Sequence, residues 1–190
     1  MEHGGVPRYK LFNMIVAHEP GYYSMRRALR EIEGILGRVR VFDAPRSLLL
    51  LKVDDPYDAV ARLARGLSED SVVLRAIPVD LEVAPYVDYV AEAARELLYS
   101  KSSGGSAFAI RLEGRLYDRK TGRLLHKRDA IEAIADGIDL PVNLEEPDLL
   151  VLVKVVRVHR SLSYAAIMVA PPCSIYSRAR RGRRVCTPGH

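Results

Sequence analysis

Glutamine is absent from the 190 residues, and asparagine occurs only at Asn13 and Asn143. Arginine outnumbers lysine 23 to 6. Few thermolabile amides beside many charges point to a thermophilic source. No apolar run reaches the roughly 18 residues that a membrane-spanning helix needs, so no segment is expected to span a bilayer. Residues 1–10 are polar, with two glycines and a proline, and lack the apolar core of a secretory signal, so a cytoplasmic protein is expected. Cysteine occurs only at Cys173 and Cys186, too few for a disulfide framework or a four-ligand zinc site. Two free thiols is one reading. A single late disulfide, as occurs in the cytosol of hyperthermophiles, is the other.

What is present is a chain that can bury a core. Hydrophobic residues make up 48% of it, enough for two small domains. Its net charge of +5 is unevenly placed. Residues 173–190 carry five arginines and no acid, and the remainder balances 24 basic against 24 acidic residues. Within that balanced body, residues 111–128 hold seven basic and two acidic residues. Residues 129–148 hold seven acids and no base. Segregation of this kind suggests one face for a polyanion and another for a different partner.

Hydrophobic patterning orders the elements. Residues 11–17 (LFNMIVA) read as a buried strand, followed by a helix N-capped by Ser24 and closed by Gly37. Residues 39–42 and 48–53 suit a hairpin, and Asp55-Pro56 is an N-cap and first-turn pair for a second helix. Residues 71–83 form an extended stretch bent at Pro78. The order β-α-β-β-α-β is the split βαβ arrangement of ferredoxin-like folds. From Pro85 a second unit follows. Its third helix ends at SSGGS (102–106), and a half-buried strand runs through Phe108, Ile110 and Leu112. A basic turn surrounds Gly122, a fourth helix spans about residues 127–138, an apolar central strand 149–156, and a last strand 164–169. The expected organisation is α+β: a ferredoxin-like domain over 1–84, an α/β domain over 85–172 and a basic tail over 173–190.

Four segments of the second unit carry a resemblance. FAIRL (108–112), HKRDAI (126–131), PVNLEEPD (141–148) and the apolar strand 150–156 are similar in order and spacing to the THUMP domain. Asn143 stands where that family usually has aspartate. The preceding unit looks like the ferredoxin-like domain that commonly sits before THUMP, so the resemblance spans about residues 10–172. It implies tRNA binding, THUMP being a recognition module attached to thiouridine synthases, RNA methyltransferases and pseudouridine synthases. With no such enzyme in the sequence, the domain content resembles most the adaptors that assist tRNA cytidine acetylation. The implied partners are tRNA and a tRNA acetyltransferase or other RNA-modifying enzyme.

The cations expected to meet phosphate are Arg111, Arg115, Arg119, Lys120, Arg123, Lys127 and Arg128. Arg111 and Arg115 are placed on one strand. Lys127 and Arg128 open the fourth helix, whose amides also favour an anion; Asp129 is as well suited to capping that helix as to any other role. The bland alternative for all seven is a solvated, salt-bridged surface. Arg178, Arg180, Arg181, Arg183 and Arg184 read as a disordered arm that wraps RNA and folds on contact, or as an idle soluble terminus. Tyr176 is placed either against a base or at the domain edge. The loop EPGYY (19–23), with Arg26, Arg27 and Arg30 beyond it, stays open between a second RNA patch and a protein-docking surface.

Catalysis is not expected, nor any cofactor or metal. SGGS (103–106) lacks the aspartate of a pyrophosphatase loop and follows a helix. APPC (170–173) lacks both the polar first residue and the aromatic fourth of an amino-methyltransferase motif. His18-Glu19 has no second catalytic group with a placed partner, and His3, His126, His159 and His190 have no ligand spacing. A scaffold that docks an enzyme through the acidic stretch 129–148, with RNA contact incidental, is the competing reading.

Overall fold

A computed structural model of the chain describes residues 5–159, 161–180 and 182–187. The first β-strand, β1 (Met14–His18), is buried almost throughout. Helix α1 (Tyr22–Leu36) follows, then β2 (Arg40–Asp43), β3 (Leu48–Lys52), α2 (Pro56–Gly66) and β4 (Val73–Pro78). These pair antiparallel in the order β2-β3-β1-β4, so the β-α-β-β-α-β reading is the fold observed. Local chemistry explains the boundaries. The Asp55 carboxylate accepts from the amides of Tyr57 (2.9 Å) and Asp58 (3.1 Å), with Pro56 in the first turn of α2. Gly37 closes α1. Ser24, however, does not cap α1: the helix begins at Tyr22, three residues earlier than a Ser24 cap would start it, with Gly21 as N-cap at φ 106°. That left-handed backbone turn is open to glycine and lets the Gly21 carbonyl accept from Met25 N at 3.0 Å.

The expected extended stretch 71–83 is two strands in different sheets. Beyond Pro78 the Asp80 carboxylate accepts from Val169 N and Lys101 Nζ, both at 2.8 Å. Residues Leu81–Val83 (β5) thereby join a second sheet. Helix α3 (Val87–Lys101), β6 (Phe108–Glu113), α4 (Lys127–Ala135), β7 (Leu149–Val158) and β8 (Leu162–Ala170) complete it. The order is β5-β8-β7-β6, with β6–β7 parallel and the other pairs antiparallel. Val90, Ala94 and Leu98 of α3 and Ala130 and Ile134 of α4 pack on Val151, Val153, Ile167 and Phe108 of this sheet. The central strand β7 is also buried at Leu150 and Leu152, hence its unbroken apolar run. The fourth helix is shorter than its periodicity predicts, stopping at Ala135 before Gly137 at φ 74°.

The chain then returns to the first sheet. A 3-10 turn at Pro172–Ser174 leads to β9 (Tyr176–Ser177), which pairs antiparallel with β4, and a second 3-10 turn follows at Arg178–Arg180. Tyr176 is 5% exposed and belongs to the core of Met14, Val16, Ile32, Leu51, Leu63 and Val73. Cys173 and Cys186 form a disulfide. The late-disulfide reading therefore holds, and the disordered-arm reading of the basic segment is corrected: a buried tyrosine, a strand pairing and a crosslink hold it. By packing, one unit comprises Leu11–Val79 with residues 173–187, and the other comprises residues 5–10 with Asp80–Pro172. The sequence-based division at 84 and 172 put β5 with the first domain and treated the tail as separate.

Candidate nucleic-acid interface

All seven body cations expected to meet phosphate lie exposed on one unit, along three consecutive pieces of chain. Arg111 projects from β6 on the face opposite Phe108 and Leu112. Arg115 does not share that strand. Gly114, at φ 100°, ends it, and a Cβ there would sit 2.8 Å from the Val155 side chain. The strand-parity reading of Arg111 and Arg115 is corrected by that bend. Arg115 instead reaches toward the Leu125 carbonyl at 3.4 Å.

The basic turn is a short hairpin rooted by the fully buried Leu116. Leu125 N donates to Leu116 O at 2.9 Å, Tyr117 bridges Leu124, and Asp118 N donates to Arg123 O at 2.8 Å. At the tip the Asp118 carboxylate accepts from Lys120 N (2.8 Å) and Thr121 N (3.3 Å). These backbone donors hold its pKa below the usual carboxylate range. A single carboxylate thus shapes the loop that displays Arg119, Lys120 and Arg123. Arg119 is tied down: its Nε donates to Asp88 at 2.8 Å and its guanidinium lies 5.1 Å from the Tyr89 ring centroid. The Asp88 hydrogen bond raises its pKa further. No linear spacing signals this contact, since Asp88 is 31 residues away.

Leu125 and His126 carry the chain from the hairpin into α4. His126 is the N-cap, and no side chain caps the helix. Asp129 sits within the first turn and does not cap; its charge still favours that helix end. Lys127 and Arg128 project into solvent at this end. Arg128 pairs with Glu132 one turn on at 2.9 Å, and that bond raises its pKa. Among the described residues Arg111, Arg115, Lys120, Arg123 and Lys127 have no ion pair. Five uncompensated cations, a loop and an uncapped helix start are features suited to phosphate oxygens.

The tail cations belong to the other unit. Arg178 is a structural tie: its Nη1 donates to Glu19 and to the Ser71 carbonyl, each at 2.8 Å. Arg180, Arg183 and Arg184 are exposed within the loop closed by Cys173 and Cys186. Arg181 lies outside the described residues.

The seven acids of 129–148 are all exposed. Asn143 accepts from Glu145 N (3.1 Å) and Glu146 N (3.0 Å) through Oδ1, a turn-forming role that an aspartate oxygen would fill equally. Among the described residues no cluster of His, Cys, Asp and Glu could hold a metal ion, and no helix is long and apolar enough to cross a membrane.

Comparison with protein-family models and with curated proteins finds no match to this sequence. Among solved structures, PH1313 from Pyrococcus horikoshii Ot3 is similar, with a TM-score of 0.56 at 12% identity over 85% of this chain and 56% of that one. A 4-thiouridine synthetase, solved as an RNA complex with bound ATP, aligns with a TM-score of 0.45 at 14% identity, over 84% of this chain and 42% of that one. TrmN from Thermus thermophilus aligns with a TM-score of 0.46 at 13% identity, over 83% and 46%. The chain spans about half the length of these proteins. At such identities the likeness to PH1313 is one of fold.

Proposed function

We propose that this is a cytoplasmic tRNA-binding protein of the THUMP kind, without catalytic activity of its own, which holds tRNA for a separate modifying enzyme. The observation that carries the reading is the run of exposed cations on three successive pieces of chain, β6, the 116–125 hairpin and the uncapped start of α4, with Arg111, Arg115, Lys120, Arg123 and Lys127 free of ion pairs among the described residues. Such cations contact the sugar-phosphate backbone, which positions an RNA without reading its sequence. The resemblance of segments 108–112, 126–131 and 141–148 to THUMP supplies tRNA as the RNA and a modification enzyme as the partner, a cytidine acetyltransferase first among the candidates. A binder of this kind raises its partner's rate by holding the substrate at high effective concentration.

The test has two arms. Affinity for tRNA should fall steeply with salt, by roughly 0.7–0.9 log units per log unit of salt for each phosphate contacted. Incubation of unmodified tRNA with acetyl-CoA and the acetyltransferase should yield more N4-acetylcytidine with this protein than without it, at tRNA well below the enzyme's own KM. Equal yields would remove the adaptor role. Modification by this protein alone would remove the non-catalytic reading.

A further inference from the structure

The other unit carries a second place where cations and aromatic rings meet. A groove of about 610 Å³ opens beside the first turn of α1. Tyr22 and Tyr23 stand at it 63% and 87% exposed, their rings edge to face with centroids 6.0 Å apart. The Gly21 backbone turn starts the helix at Tyr22 and so brings both rings to its first turn. Arg26 and Arg30 follow Tyr22 at intervals of four, so the three side chains form one stripe on the helix surface. The Arg26 guanidinium lies 6.0 Å from the Tyr22 ring centroid.

The charges around this groove sort into used and unused. Arg27 is engaged by Glu31 (2.8 Å) and Asp70 (3.0 Å). Glu19, the one carboxylate among the described lining residues, is compensated by Arg178 at 2.8 Å. Arg26 and Arg30 have no ion pair among the described residues. The lining thus presents two guanidinium groups without an ion pair, of which Arg26 lies over the Tyr22 ring and reaches its hydroxyl at 3.5 Å, and two exposed rings. Its aliphatic contribution is Val72. Tyrosine and arginine also recur at protein interfaces, whose centres are depleted of charge; this groove is walled by three arginines and a glutamate. Exposed rings beside uncompensated cations are the composition that binds single-stranded nucleic acid, bases stacking on rings while the backbone follows positive charge.

We infer that this groove is a second RNA site, taking unpaired nucleotides by stacking on Tyr22 and Tyr23 with their phosphates held by Arg26 and Arg30. The inference rests on the RNA-binding reading above and adds to it a contact of different chemistry. The exposed cations on the other unit meet backbone of any structure, and the groove selects bases that are not paired.

The test measures fluorescence anisotropy of three labelled RNAs with the full chain: a mixed-sequence single-stranded decamer, a perfect RNA duplex and a tRNA. The doubly substituted Tyr22→Ala/Tyr23→Ala protein should bind the decamer about tenfold or more weaker, a loss within the range of one stacked base. Its duplex affinity should stay within about twofold of the unsubstituted protein, since phosphate contacts are elsewhere intact. Tyr22→Phe/Tyr23→Phe keeps the ring faces and should retain decamer binding. Decamer affinity unchanged in the alanine protein overturns the groove, as does an equal loss in the phenylalanine protein. A protein that never binds the decamer overturns it too, including one whose groove captures only a protein. The tRNA arm separates the two readings. Binding of tRNA without the decamer sinks the groove alone, and decamer binding that responds to the tyrosines without tRNA binding sinks the tRNA role alone. Loss of all RNA binding sinks both.

Discussion

Breaking the Cys173–Cys186 bond should destabilise the unit built on β1–β4 without changing its fold. The two residues are 13 apart in sequence, and a ring of that size restricts the unfolded chain by about 3 kcal/mol. Domains are stable by only about 5–15 kcal/mol in total, so this is a sizeable share. For a unit of under a hundred residues each kcal/mol moves the melting temperature by about 4–8 °C, which predicts a drop of about 12–24 °C. The assay is thermal unfolding followed by circular dichroism, with and without reductant, for the native protein and for Cys173→Ser/Cys186→Ser. Reductant should lower the native midpoint to that of the serine protein and leave the serine protein unmoved. Thiol titration would verify that the bond had opened. If both thiols titrate and the midpoint does not move, the crosslink constrains nothing and the argument from ring closure is refuted. The same experiment reports on RNA binding, because Arg180, Arg183 and Arg184 lie inside the ring. An intact ring has already restricted their backbone, so opening it should weaken tRNA affinity as well.

Three further outcomes follow from the geometry. Lys127→Glu should weaken binding of all tRNAs by a similar factor, and more than Arg128→Glu, because Arg128 is partly spent on Glu132; loss of one tRNA species alone, seen in parallel filter-binding titrations, would instead make these residues base readers. Gly114→Ala should destabilise by about 1–3 kcal/mol in denaturant titration, since the new methyl meets Val155 at 2.8 Å on a backbone of positive φ; an unchanged midpoint would refute the close approach. Asp118 has a folded pKa depressed below its unfolded value, so its contribution to the hairpin is present above the unfolded value and lost as pH falls through the folded one. Protection of the Lys120 and Thr121 amides, measured against their intrinsic exchange rates, should therefore fall below the usual carboxylate range, and Asp118→Asn should flatten that pH dependence; identical profiles would assign the loop's order to its backbone bonds alone.

The sequence was most legible where chemistry is local. Asp55-Pro56 announces the start of α2, and the apolar run 149–156 announces a strand buried on both faces, because caps and periodicities act within a few residues. The cations of 111–128 were readable as exposed for the same reason: no neighbouring pattern offered to bury them. What failed was long-range. Ser24 is a better N-cap by residue type than Gly21, but the backbone turn that Gly21 permits decides where α1 begins. The two residues of β9 are too few to show alternation, so the segment read as loose. Arg178 reads as one of five equivalent arginines until Glu19, 159 positions earlier, is found beside it. Arg115 was misplaced by a single positive φ at Gly114, to which side-chain parity is blind.

The pairing of β9 with β4 also sets a timetable for synthesis. Between Pro78 and Tyr176 the ribosome adds roughly a hundred residues, which at about 5–20 residues per second takes on the order of 5–20 s. Through that interval β4 has been made but its β9 neighbour has not, so the backbone at Arg75 and Ala76, which β9 will pair, is an open edge of the kind that recruits other chains. The core around Ile32 and Val73 likewise waits for Tyr176. Meanwhile all the strands of the other sheet, β5 through β8, emerge before β9 does. The sheet begun first is thus the one finished last, and a cell making this protein must keep its half-built edge from other nascent chains until residue 177 is out.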